Sequence, residues 1–119
     1  MKTAQFNTIL DALFHSWSLQ SSSKWSKVNP AKGQCGVSAL VVNDLIGGDI
    51  RKTKLPDGWH FYNVFNSKRY NFTTSQFNEA FTYTDTHSSR EEAFTDTNEE
   101  QYCYLKQEVL LYIEKRTAL

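Results

Sequence analysis

The segment GQCGVSALVVNDLIGG, residues 33–48, decides the fold expected for this chain. Its apolar side chains recur every three or four positions, which is the spacing of a helix with a buried face. The paired glycines at its end stand where left-handed residues commonly terminate a helix. The pattern therefore predicts a helix over residues 35–46 with Cys35 in its first turn.

The sequence on either side of this segment predicts more helices and a small sheet. Residues 3–17 carry apolar side chains at helical spacing, and residues 98–116 do so after a capping sequence. Residues 49–73 contain short runs of alternating bulky and polar residues, separated by turn sequences, as antiparallel strands do. We expect one α+β domain over residues 1–119, with a small antiparallel sheet packed against the helices.

Composition and charge exclude several function classes. Thirteen basic and thirteen acidic side chains cancel, and no stretch gathers positive charge, so no nucleic-acid partner is expected. Polar residues interrupt the apolar ones near the N-terminus, which predicts neither a signal peptide nor a membrane span. We therefore expect a cytoplasmic protein with no membrane partner.

The cysteines and histidines are too scattered along the sequence to predict a metal site. No close pair such as Cys-x-x-Cys occurs among His15, His60, His87, Cys35 and Cys103, so neither a metal nor another cofactor is expected. In a reducing compartment both cysteines are expected to be free thiols, with a bridge between them as the alternative.

Cys35 is the candidate nucleophile. Unpaired amides and the helix dipole favour negative charge in the first turn of a helix, so the pKa of its thiol is expected to fall. Gly33 and Gly36 leave room for a substrate, and Gln34 is a candidate donor to an oxyanion together with the amide of Cys35. The alternative is that Cys35 is a small apolar core residue.

His60 and Asn71 are the candidate partners of the thiol. His60 and Tyr62 share one face of the second predicted strand, and a turn of two or four residues puts Asn71 on that face too. Asn71 then orients the imidazole, and the imidazole moves the thiol proton. A three-residue turn instead turns Asn71 away, and a structural histidine and a strand-capping asparagine are the plainer alternatives.

The strings NPAKGQCGVSALVVNDLIGGDI, GWHFYN and NFTTSQF resemble the signature blocks of the YunG-like family of uncharacterised bacterial proteins. The resemblance runs from Trp25 to Phe77. Family members commonly read GQCAVTALVVQD, HYWN and DLTREQF at these places, so Asn71 stands where an Asp is usual. The order of Cys, His and Asn more distantly resembles the papain and transglutaminase-like superfamily, which implies a papain-like core with the cysteine at a helix N-terminus.

Two functions follow as expectations. The first is a cysteine-dependent hydrolase or acyltransferase, such as a peptidase or deamidase, that acts on an amide or thioester of a small molecule or protein. The second is a binding module without catalysis, which holds a ligand with Trp25, Trp59 and Tyr62. The acidic residues between Glu91 and Glu100 are expected to be solvated, at the end of a polar surface loop over residues 82–97.

Overall fold

The computed structural model describes residues 3–77 and 79–117. Its α+β class and its small antiparallel sheet agree with the sequence prediction. The elements, in chain order, are α1 (Thr3–Ser16), α2 (Cys35–Ile46), β1 (Asp49–Leu55), β2 (Gly58–Phe65), β3 (Lys68–Tyr70), β4 (Thr86–His87), α3 (Arg90–Ala93) and α4 (Glu99–Thr117), with 3₁₀ turns at Thr74–Gln76 and Phe94–Asp96.

The four strands pair in the order β3-β2-β1-β4. Tight turns fix the register, and the turn between β2 and β3 has positive φ at both Asn66 (51°) and Ser67 (63°), the mirror-image geometry that matches strand twist. Phe65 pairs with Lys68, so even-numbered residues of β2 lie opposite odd-numbered residues of the returning chain. Because β3 pairs with β2 only over residues 63–65, the first half of β2 has a free outer edge within the described chain.

Helix α2 lies at the centre of the molecule, because every residue from Cys35 to Val42 is buried. One face of α2 packs on the sheet, where Asn63 Nδ2 donates to the carbonyl of Ala39 at 3.0 Å. Its other side packs against α1 and α4, with Leu13 and Leu105 among the fully buried residues. The odd positions of β2 therefore face the helices.

The even positions of β2 face a second layer made of irregular chain. His60 lies edge-on to the rings of Phe77 and Phe81, with ring centroids 4.9 and 5.5 Å away. Tyr62 is edge-on to Tyr83 at 5.1 Å. The segment after β3 thus covers the side of the sheet that the helices leave open.

Several sequence expectations need correction. Residues 82–97 are not a plain loop, because they contain β4, α3 and a 3₁₀ turn. The segment between β3 and residue 77 contains only the 3₁₀ turn Thr74–Gln76, and position 78 lies outside the described residues. The cap of α4 is Asn98, whose Oδ1 accepts from the amide of Gln101 at 2.9 Å. No helix in the described part of the chain is both long and apolar enough to span a bilayer.

Candidate functional site

A groove of about 580 Å³ opens between the start of α2, the turn joining β1 to β2, and the segment after β3. Cys35 and His60 both line it. The chain turns into α2 through Gly33, whose φ of +75° is a conformation that side chains rarely adopt. A Cβ on Gly33 would lie 2.6 Å from Ser22 Oγ, so close packing also requires glycine there.

The thiol of Cys35 faces the carboxylate of Asp96, one of the acidic residues expected to be solvated. Cys35 Sγ donates to Asp96 Oδ2 at 3.5 Å, and the amide of Gly36 donates to the same oxygen at 3.0 Å. Asp96 is exposed as a residue, but this oxygen is turned inward, and desolvation raises the pKa of its carboxyl group. Asp96 therefore occupies the N-terminus of α2.

Burial raises the pKa of the Cys35 thiol to about 12, and the negative charge of Asp96 adds to the increase. The backbone amides of Phe61 and Gly36 act in the opposite direction but do not offset it. Only 8% of Cys35 is exposed. The expectation that the helix start lowers this pKa is wrong for the resting arrangement.

His60 and Asn71 meet as the two-residue turn requires. His60 Nε2 lies 3.1 Å from Asn71 Oδ1. Asn71 Nδ2 donates to the hydroxyl of Tyr83 at 2.9 Å, and the amide of Thr73 donates to Asn71 Oδ1 at 3.3 Å. Because Oδ1 is thus the acceptor, His60 Nε2 carries a proton and donates it.

The other ring nitrogen of His60 is left as a bare acceptor. Burial lowers the pKa of His60 to about 4, so the ring is neutral at pH 7 with its lone pair on Nδ1. Nδ1 is buried and has no hydrogen-bond partner among the described residues. An unpaired buried acceptor costs about 1–3 kcal/mol, so Nδ1 is an open hydrogen-bond acceptor in the wall of the groove.

The thiol of Cys35 and the imidazole of His60 line the groove from opposite faces of strand β2. His60 belongs to the even positions of β2, whereas Phe61 packs with Cys35 on the helix side. In the part of the chain that is described, no hydrogen bond joins Cys35 to His60, since the thiol is turned to Asp96. The structure therefore brings together His60 and Asn71, with Cys35 in the same groove but otherwise engaged.

The remaining site candidates divide between the groove and the interior. Gly33 and Trp59 line the groove. Gln34 is 0% exposed and neither polar atom of its side chain has a partner within the described chain. Trp25, Gly36 and Tyr62 are not among the described groove residues, and the space beside Gly36 is taken by Asp96.

No motif in the sequence marks three residues that the structure adds to the site, Asp96, Tyr83 and Gln76. Asp96 is 61 residues from Cys35 along the chain, and no local pattern marks it among its acidic neighbours. Tyr83 lies in chain that has no period, so nothing in the sequence places it against Asn71. Within the described residues, no group of three His, Cys, Asp or Glu side chains is arranged to hold a metal ion.

A family model described as YunG protein matches residues 5–114. The chain belongs to the YunG family. It is 54% identical over 95 residues to the uncharacterized protein YunG of Bacillus subtilis (strain 168), a match that covers 80% of this chain and 83% of that relative. No solved structure matches the chain, so the α+β class stands without support for a papain-like core.

Proposed function

We propose that this YunG-family protein is a cysteine-dependent acyl-transfer enzyme, a hydrolase or acyltransferase acting on an amide or thioester. Cys35 is the nucleophile, His60 the base, and Asn71 the residue that orients the ring. The observation that supports this best is the free Nδ1 lone pair of a neutral, buried imidazole in the groove that the thiol lines. Orientation through the far nitrogen is the relation that Cys-His-Asn sites use.

The proposed reaction begins when the side chain of Cys35 turns from Asp96 into the groove. The thiol proton moves to His60 Nδ1, and the sulfur bonds to the substrate carbonyl carbon, which leaves the charge on the carbonyl oxygen. When the carbonyl re-forms, the bond to the amine or thiol breaks, and that leaving group takes the proton from His60. Water or a second acceptor then releases the acyl group from the sulfur.

The side chain of Cys35 must rotate away from Asp96 for an energetic reason. With pKa values of about 12 for the thiol and about 4 for the imidazole, proton transfer in the resting arrangement is uphill by roughly 11 kcal/mol. A turnover rate of about 10 per second corresponds to a total barrier of about 16 kcal/mol. The resting pair therefore leaves little free energy for the chemistry, and activity depends on the thiol leaving its buried position beside Asp96 for the groove.

Acylation by p-nitrophenyl acetate tests the proposal. We expect intact-mass and peptide analysis to find an acetyl group on Cys35 well before Cys103, which is exposed on α4. His60→Ala should slow the acetylation of Cys35 by about 10²-fold or more, the usual contribution of a general base. His87→Ala is the matched control, since His87 is exposed on β4. Equal acetylation of the two cysteines, or no effect of His60→Ala, would remove the catalytic assignment.

The contact between Cys35 and Asp96 favours a second candidate, a binding module without turnover. A thiol with a pKa of about 12 is a poor nucleophile at neutral pH, while the groove keeps aromatic walls such as Trp59 and Phe81. In this case a small molecule that copurifies with the wild type should be retained equally by Cys35→Ala, as native mass spectrometry shows. A covalent acyl adduct on Cys35 in the wild type would decide for the enzyme.

A further inference from the structure

Gln76 is held in a fixed orientation at the wall of the groove. Its carbonyl oxygen accepts from Asn29 Nδ2 at 3.1 Å, and its side-chain Oε1 accepts from the amide of Gly33 at 3.4 Å. These contacts tie the end of the 3₁₀ turn to the chain just before Cys35. Because Oε1 is the acceptor, the Nε2 of Gln76 is the free end of the amide.

That free end is a buried donor without a partner. Gln76 Nε2 makes no hydrogen bond in the part of the chain that is described, and Gln76 lines the groove together with Cys35 and His60. A buried donor left unpaired costs about 1–3 kcal/mol. The same groove therefore holds an unpaired acceptor, on His60, and an unpaired donor, on Gln76.

Two other donors near Cys35 are placed less well than Gln76. Gln34 has no exposed surface and is not among the described groove residues. The amide of Gly36, which the start of α2 presents, already donates to Asp96 Oδ2 at 3.0 Å. A second donor to a carbonyl oxygen there, beside the amide of Cys35, must therefore come from another part of the groove.

We infer that Gln76 Nε2 donates a hydrogen bond to the oxyanion that forms when Cys35 attacks an acyl carbon. The inference rests on the proposed function and assigns a further catalytic residue to it. An oxyanion donor acts only when charge develops on the carbonyl oxygen, and removal of one such donor slows acyl transfer by about 10²–10³-fold. Gln76 holds Gly33 through Oε1, so its donor is placed before substrate arrives.

Two probes separate this role from a general effect on the thiol. With p-nitrophenyl acetate, the sulfur bonds to the carbonyl carbon and negative charge passes to the carbonyl oxygen. The carbonyl then re-forms and p-nitrophenolate leaves with the electron pair. The thiol proton passes through His60 to water. With iodoacetamide, sulfur bonds to the methylene carbon and iodide leaves, so no oxyanion forms. Both reactions need the thiolate, so the ratio of the acylation rate to the alkylation rate reports the effect of the oxyanion donor alone.

The experiment measures this ratio in protein whose other thiol is removed by Cys103→Ser. Gln76→Glu keeps an oxygen for the Gly33 amide but loses the donor, and Gln76→Ala loses both. We expect either change to lower the ratio of acylation to alkylation by at least about tenfold. Gln20→Glu, with the same charge change at an exposed site, should leave the ratio unchanged.

The outcomes separate this inference from the proposed function. If Cys35 of the wild type is not acylated, the proposed function fails and the role of Gln76 fails with it. If Cys35 is acylated and its ratio stays the same in Gln76→Glu, only the role of Gln76 is wrong. Circular dichroism checks the fold of both variants, and Gln76→Glu decides the matter even if Gln76→Ala does not fold.

Discussion

Asp96→Asn should make Cys35 react at lower pH. The charge of Asp96 lies 3.5 Å from the thiol sulfur and opposes thiolate formation. Asparagine removes the charge but keeps an oxygen that can accept from the amide of Gly36, which now donates to Asp96 at 3.0 Å. The amide of Gly36 therefore keeps an acceptor in the variant.

The size of the effect can be bounded from both sides. Two charges 3.5 Å apart repel by about 1.2 kcal/mol even with the full screening of water. The rise in the pKa of Cys35 from 9.0 to about 12 corresponds to about 4 kcal/mol in total. Burial is the larger cause, and we assign Asp96 about 1–2 kcal/mol, close to the value for two screened charges. Asp96→Asn should thus increase the thiolate population about ten- to thirtyfold at a given pH.

The assay is the pH dependence of alkylation by iodoacetamide, followed by mass spectrometry in the Cys103→Ser background. The pH at which the rate of Cys35 alkylation rises should fall by about 1 in Asp96→Asn, which is a tenfold change in thiolate. Glu91→Gln, an equal charge change on the exposed side of α3, should leave the profile unmoved. A profile that is the same in Asp96→Asn and the wild type would refute the assigned role of this carboxylate.

Three other changes test separate parts of the structure. Gly36→Ala places a Cβ 2.6 Å from the Asp96 carboxylate, so it should displace that group and lower the pH at which Cys35 is alkylated; a higher pH would contradict this. Burial lowers the pKa of His60 from 6.5 to about 4, so the unfolded state binds more protons over this range and stability rises with pH across it. Urea titrations should show that the free energy of unfolding falls by roughly 3 kcal/mol as the pH is lowered from 6.5 to about 4. The loss should be smaller in His60→Gln, and equal losses would disprove the lowered pKa of His60. Leu105→Ala should reduce the free energy of unfolding by about 2–5 kcal/mol, because Leu105 is 0% exposed. Leu110→Ala on the same helix should reduce it by less than about 1 kcal/mol, because Leu110 is 44% exposed. Similar urea midpoints for these two variants would contradict the packing of α4.

The parts of the fold that follow from local sequence were predictable. The helix at residues 35–46 has the bounds that its apolar spacing and terminal glycines indicate. The sequence left the length of the turn between β2 and β3 open, and the two-residue turn of the structure puts Asn71 beside His60 because side chains alternate along strands. Both inferences depend on regular backbone geometry over a short stretch of chain.

The parts of the site that depend on distant chain were not predictable. Asp96 contacts Cys35 although the two residues are 61 positions apart in the sequence. It lies in a 3₁₀ turn that no periodic pattern predicts. Tyr83 and Phe81 cover β2 from chain without regular structure. Such contacts are set by tertiary packing, and a single sequence carries no local signal for them.

The pKa of Cys35 shows why a rule about helix ends can fail at a real helix end. The dipole at a helix N-terminus favours a nearby anion by about 0.3–1 kcal/mol, and by about 2 kcal/mol in the best partly buried sites. Burial of the thiol beside Asp96 opposes the anion by about 4 kcal/mol, the equivalent of its pKa of about 12. Moreover, one anion already sits at this N-terminus, since the amide of Gly36 donates to Asp96. The field of α2 therefore stabilises the carboxylate of Asp96, and that carboxylate in turn opposes the thiolate of Cys35.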